Sequence, residues 1–186
     1  MDAFELLSTR ASNGKLTDPA PDADSLRFAL EAAARAPDHG TLRPWRVHLV
    51  RGEAREKLGA LMADVAHKQN PNISAEELAK TRGKALRAPL IIVVSAKVQA
   101  HPKVPAIEQI LAAGAAAQNI LLALYARGYG AMWRTGGPAY DNDVKRAFGL
   151  SPEDALVAFI YAGTPKQGAP AMQRPSPDDF ARDWSG

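Results

Sequence analysis

The stretch Pro105–Gly136, PAIEQILAAGAAAQNILLALYARGYGAMWRTG, decides the fold. From Ala106 to Ala126 nearly every residue permits a helix. The run Ala112, Ala113, Gly114, Ala115, Ala116, Ala117 leaves no face bulky, so neighbouring backbone can come close. A membrane span needs about 20 mostly apolar residues. Here Gln118 and Asn119 interrupt the run, and Glu108, Gln109 and Arg127 stand near its ends, so the reading is a helix buried within protein. Gly128 and Gly130 stop the helix, Ala131-Met132-Trp133 reads as a strand, and that strand delivers Arg134-Thr135-Gly136-Gly137.

Outward from this stretch toward the C-terminus, Asp141–Phe148 reads as a small helix stopped by Gly149. Leu156–Ala162 is a last strand closed by Gly163-Thr164-Pro165, and the proline-rich tail through Arg174 to Gly186 is an extended arm. Toward the N-terminus, Pro89–Val94 is the short continuous apolar run of a strand covered on both faces, which places it centrally. Gly52–Gln69 and Ser74–Leu86 are helices, the second opened by a Ser74/Glu77 capping box. Their charge reads as a solvated excursion. Trp45–Val50 alternates like a half-buried strand. Asp22 or Asp24 caps a helix with Leu26, Leu30 and Ala33 on one face, ended by Pro37. Ala11–Asp18 is a polar connector, and Asp2–Arg10 a short amphipathic helix offering Phe4, Leu6 and Leu7 to a core. Four strands among five or six helices, unequally spaced, give one α+β domain over residues 1–186.

Composition narrows the chemistry. With 186 residues, 46% of them hydrophobic, the chain can bury one substantial core. Its 23 basic and 20 acidic residues are interspersed for a net charge of +3, which argues against a nucleic-acid or membrane-surface partner. The absence of cysteine removes disulfides, thiolate metal sites and cysteine nucleophiles. Histidines at 39, 48, 67 and 101 have no two-ligand spacing on one helix, so no metal site is expected. The opening MDAFELLSTR carries Asp2 and Glu5 and no apolar signal-peptide core, which makes the cytoplasm the expected location. Gly128-Tyr-Gly130-Ala-Met-Trp133 is not a dinucleotide fingerprint, because Trp133 occupies the third glycine's place and the turn runs from helix into strand.

Three clusters of polar residues each admit two readings. Arg10-Ala11-Ser12 joins a guanidinium fork to a hydroxyl and free backbone N–H groups, a set that can hold a phosphate; equally, an arginine there caps a helix C-terminus. Arg35-Ala-Pro-Asp38-His39-Gly-Thr41-Leu-Arg43-Pro-Trp45 is either a rigid binding loop or a helix end with Trp45 as filler. Trp133-Arg134-Thr135 sets an apolar plane beside donors at a strand end, suited to a heteroaromatic edge, or simply packs its indole.

Taken together, these pieces resemble the FMN-dependent nitroreductase family, above all its minimal bacterial members. The matching features are Arg10-x-Ser12, Ala36-Pro37 with Pro44-Trp45, Arg87-Ala-Pro-Leu-Ile, Glu108 with Gln118-Asn119 and Leu122-Ala123, Gly128-Tyr-Gly130 with Trp133, and Gly163-Thr-Pro165. The resemblance implies a mixed, mainly antiparallel sheet flanked by helices, in an intertwined homodimer with FMN at the interface. It assigns Arg10, Ala11 and Ser12 to the flavin's phosphate and pyrimidine side, and Trp133, Arg134 and Thr135 to its ring. Arg35 and His39 are assigned to the flavin of the other subunit, and the stretch Ala123, Leu124, Tyr125, Ala126, Arg127, Gly128 to nicotinamide. The family often has arginine or histidine where Ala11 stands. The implied activity is ping-pong transfer from NAD(P)H to a small nitroaromatic, quinone or similar acceptor. No side chain is required as a dedicated acid or base, so no catalytic residue is named, and Arg10 and Arg134 are candidates to stabilise charge on the reduced ring. Rival readings are a non-catalytic FMN storage, delivery or redox-sensing protein, and an enzyme of flavin cleavage or reductive dehalogenation.

Overall fold

Residues 1–169 and 172–186 are described in this computed structural model. In chain order the elements are α1 (Ala3–Thr9), β1 (Leu16–Thr17), α2 (Ala23–Ala33), β2 (Trp45–Arg51), α3 (Glu53–Gln69), α4 (Ala75–Arg82), β3 (Leu90–Ala96), α5 (Ala106–Ala126), β4 (Gly130–Arg134), α6 (Gly137–Tyr140), α7 (Asn142–Ala147) and β5 (Ala155–Pro165). Short 3-10 turns cover His39–Thr41, Gly83–Leu86 and Pro177–Asp179.

The sheet runs β1-β5-β3-β2, with β4 also paired to β5, and each of these pairings is antiparallel. β3 is buried along its whole length because both faces of the sheet are covered. Its side chains alternate between two cores, as a period of two requires. Leu90, Ile92 and Val94 join Ala116, Ala117, Ile120 and Leu124 of α5 and Leu26 and Ala29 of α2. Ile91 and Val93 join Leu58, Met62 and Val65 of α3 and Val144 of α7.

The long helix forms over the expected residues. By length and composition alone it could cross a membrane, with mean hydropathy 1.4 over 18 residues, but it packs on the sheet and against α2, to which Asn119 Nδ2 donates at the Ala32 carbonyl (3.0 Å). Its end is a Schellman turn: Gly128 takes φ +82° and the Tyr129 N–H reaches the Leu124 carbonyl at 2.9 Å. The glycine is needed there because a Cβ disfavours that conformation.

Four expectations are corrected. The Ala11–Asp18 connector contains a strand, β1, so the sheet has five strands; two residues are too few to show an alternation. The last strand continues through Gly163 and Thr164 to Pro165. Residues 52–86 are no solvated excursion, since α3 presents charges to solvent but sets Leu58, Met62 and Val65 against the sheet, making a third layer. Phe4 and Leu7 do not enter this chain's core; they are 87% and 69% exposed. The Ser74/Glu77 capping box is present. Of the expected C-terminal arm, Pro170 and Ala171 lie outside the described residues, and Met172–Gly186 is exposed throughout.

Candidate functional site

A cleft of about 490 Å³ opens beside the end of β4. Its floor is Phe159 and Tyr161 of β5 with Met62 of α3, and one wall is Trp133 through Pro138. The opposite wall is Thr81, Lys84 and Arg87, carried by the end of α4 and the 3-10 turn that leads into β3. Among the described residues, three cations thus line the cleft and no carboxylate does. The antiparallel register explains the convergence: Met132 pairs with Tyr161 and Arg134 with Phe159, so these side chains share one face of the sheet. Arg134 holds its guanidinium 5.9 Å from the centroid of the Tyr161 ring. Trp133, the intervening residue, turns to the other face, where its ring packs against the α5 core.

Two buried hydroxyl-bearing residues border the cleft, Tyr161 at 5% exposure and Thr81 at 9%. Burial pushes the Tyr161 phenol above its ordinary range, with Arg134 and then Arg87 pulling the other way. The net rise keeps it a protonated donor. Gly136, at φ +87°, makes the bend from β4 into α6.

The other expected site residues are grouped elsewhere on this chain. Arg10, Ala11 and Ser12 follow α1 and run beside β4: the Asn13 N–H donates to the Ala131 carbonyl at 2.9 Å, and a Cβ at Gly14 would stand 3.1 Å from Met132 Sδ and 3.4 Å from Arg134 Nη2. The residues just after the motif, Asn13 and Gly14, therefore lie against β4 and beside Arg134 of the cleft, while Arg10, Ala11 and Ser12 do not line it. Arg174 Nη2 donates to the Arg10 carbonyl at 3.4 Å, joining the C-terminal segment to it. Ala11 and Asn13 also border a second hollow of about 300 Å³ with Tyr125, Gly128 and Tyr129.

Arg35 lies with Phe28, Ala123 and Ala126 in a separate groove between α2 and α5. His39 Nδ1 meets Glu108 Oε2 at 2.6 Å, at the start of α5. Its loop is bent hard, with Gly40, Thr41 and Arg43 at φ +73°, +52° and +49°, and the Arg43 N–H donates to Asp38 Oδ2 at 2.7 Å. Within Ala123–Gly128, Ala123 and Leu124 are buried in the core, leaving Tyr125, Ala126, Arg127 and Gly128 to meet solvent; Arg127 stacks 4.8 Å over the Phe28 ring.

Thr81, Lys84 and Tyr161 were not singled out by sequence, and Arg87 only as part of a motif. Lys84 and Arg87, three residues apart just before the central strand, are a signal in plain view. Tyr161 is hidden inside an apolar strand, where an aromatic reads as core.

The family model described as the Nitroreductase family matches residues 7–164. The Escherichia coli (strain K12) protein "Putative NAD(P)H nitroreductase YdjA" is 38% identical over 181 residues, covering 97% of this chain and 98% of its own. Among solved structures, a nitroreductase-like family protein from Bacillus cereus superposes with TM-score 0.83 at 27% identity, over 100% of this chain and 97% of its own. A "putative nitroreductase in complex with fmn" from Desulfovibrio desulfuricans gives TM-score 0.75 at 25% identity, over 100% and 99% of the two chains.

Proposed function

Because the chain belongs to the nitroreductase family, we propose that it is an FMN-dependent oxidoreductase, drawing electrons from NAD(P)H and delivering them to nitroaromatics, quinones or similar electron-poor acceptors. The observation that carries this reading is the cleft beside Trp133–Gly137, ringed by Lys84, Arg87 and Arg134 and, among the described residues, free of acids. Its donor set fits a flavin: hydroxyls of Thr81, Thr135 and Tyr161, three cations, and an apolar floor of Met62 and Phe159. When bound, FMN supplies hydride exchange with nicotinamide and acceptor in two successive half-reactions.

The chain's own part is electrostatic and steric. Lys84, Arg87 and Arg134 place fixed positive charge where added electron density must be accommodated, and being preorganised they need no rearrangement as it arrives. Arg10, Ala11 and Ser12, joined by Arg174, are assigned to the phosphate and pyrimidine side, and Arg134 and Thr135, with the backbone of Trp133, whose indole packs on the opposite face, to the ring. Arg35 and His39 stand away from this chain's own cleft, which favours their serving the flavin of a second copy in a homodimer. The exposed Phe4, Leu7, Ile107 and Leu111 supply apolar surface for that pairing. Nicotinamide is assigned to the exposed part of Ala123–Gly128, acting through backbone and the Arg127 side chain, in a cytoplasmic enzyme.

The test is an absorbance spectrum of the purified protein, repeated after anaerobic addition of NADPH or NADH and then of a nitroaromatic. The expected result is a flavin spectrum bleached by nicotinamide and restored by acceptor. A protein that stays colourless after incubation with FMN overturns the reading. Bleaching by dithionite but by neither nicotinamide transfers support to storage or delivery.

A further inference from the structure

Tyr161 is 5% exposed, borders the cleft, and its hydroxyl makes no hydrogen bond with the described residues. A tyrosine this buried, with no protein partner for its hydroxyl and with that oxygen not sealed from solvent, presents the hydroxyl to the cleft, where a bound group can accept from it. The fold gives no reason for the oxygen. The ring packs with Phe159, Ile91 and Met62, and phenylalanine would fill that place equally well. On the open side stand Lys84, Arg87 and Arg134, each a donor without an acceptor among the cleft's lining residues. A donor facing donors is useful only to an electron-rich ligand.

From this arrangement we propose that the Tyr161 hydroxyl is a direct cofactor contact: it donates to an electron-rich edge of the flavin and thereby sets how strongly the site prefers the reduced over the oxidised cofactor. The inference rests on the flavin reading given above and adds to it a residue and a consequence for redox balance. A hydrogen bond to an edge that gains negative charge is stronger in the more negative state, so it raises the midpoint potential. A donor that stays protonated does so without titrating across the working pH range.

The decisive experiment uses the flavin-loaded protein and its Tyr161→Phe variant, comparing flavin content, thermal midpoint and midpoint potential by equilibration with a reference dye. Phenylalanine removes one unpaired oxygen and no packing, so the unloaded variant is expected to melt at or above the wild-type temperature. The loaded variant should retain FMN but shift to a more negative potential, its preference for reduced over oxidised FMN falling about tenfold, the effect of one charge-assisted hydrogen bond. An unchanged potential overturns the assignment while leaving the flavin reading intact. A variant that loses thermal stability without FMN would show the hydroxyl to be structural, and overturns it too. If the wild type takes up no FMN at all, both readings fall together.

Discussion

Asp154 illustrates how a single buried residue holds the loops around the sheet. Its Oδ1 accepts from the Val98 N–H and its Oδ2 from the Ser151 N–H, both at 2.8 Å, so one carboxylate closes the turn before β5 and anchors the segment leaving β3. Burial opposes its charge, but the N–H groups of Ser151 and Val98 outweigh that and hold the carboxyl below its ordinary range. A depressed folded pKa means stability that is present above the unfolded value and lost as pH falls through the folded one. Wild-type protein should therefore lose thermal stability on acidification through and below the ordinary carboxylate range. An Asp154→Asn variant should melt lower at neutral pH and show a flatter acid dependence; equal slopes for the two would remove Asp154 from the account. Truncation to alanine strands two buried N–H groups and should cost about 2 kcal/mol in a denaturant titration. None of this was legible beforehand. Sequence shows an aspartate near a proline turn, whereas the partner 56 positions away is supplied only by the fold.

At the scale of elements, legibility followed length and regularity. α5 and β3 were readable because twenty-one helix-permissive residues and one unbroken apolar run each admit a single explanation. β1 was not, because its pairing with Thr164 and Pro165 is decided by the partner strand. The α3–α4 pair was read as helical but given the wrong role. Its abundant charges hid the Leu58, Met62, Val65 spacing that faces the sheet, and with it the layer that carries Thr81 and Lys84 to the cleft. The same pair depends on Gly59, where an added Cβ would lie 2.3 Å from the Arg82 carbonyl oxygen. No side chain can be accommodated there unless α4 moves. Gly59→Ala should destabilise by about 1–3 kcal/mol and, by displacing Thr81 and Lys84, weaken FMN binding in a fluorescence titration. A variant that melts lower yet binds flavin normally would separate α4's position from the cleft.

For the whole molecule, the expected site residues fall into several patches on one chain: among the described residues Trp133, Arg134 and Thr135 line the cleft, Ala11 borders a second hollow, and Arg35 and His39 stand elsewhere. Association of two copies is the physical step that would bring Arg35 and His39 to a flavin, so sedimentation should give twice the mass of the chain. Leu111, 64% exposed on the outer face of α5, is a suitable probe. Leu111→Asp should weaken self-association about tenfold or more, the worth of one large apolar side chain, and lower flavin occupancy in step. A monomeric wild type with full flavin content would disprove the shared pocket. The family resemblance and the Trp133–Thr135 wall were legible in motif order, but the rest of the cleft was not, since Thr81, Lys84 and Tyr161 come from segments that only the fold brings to that wall.

The exposed C-terminal segment has one more consequence. Trp184 is 92% exposed, whereas the other two indoles, Trp45 and Trp133, are partly buried against the α5 core. A lone wet fluorophore at the end of a tail is a built-in dosimeter of subunit embrace. If the arm grips a neighbour, serial dilution will drag the emission toward red wavelengths as molecules part, and Trp184→Phe will silence that drift while leaving the dissociation itself untouched.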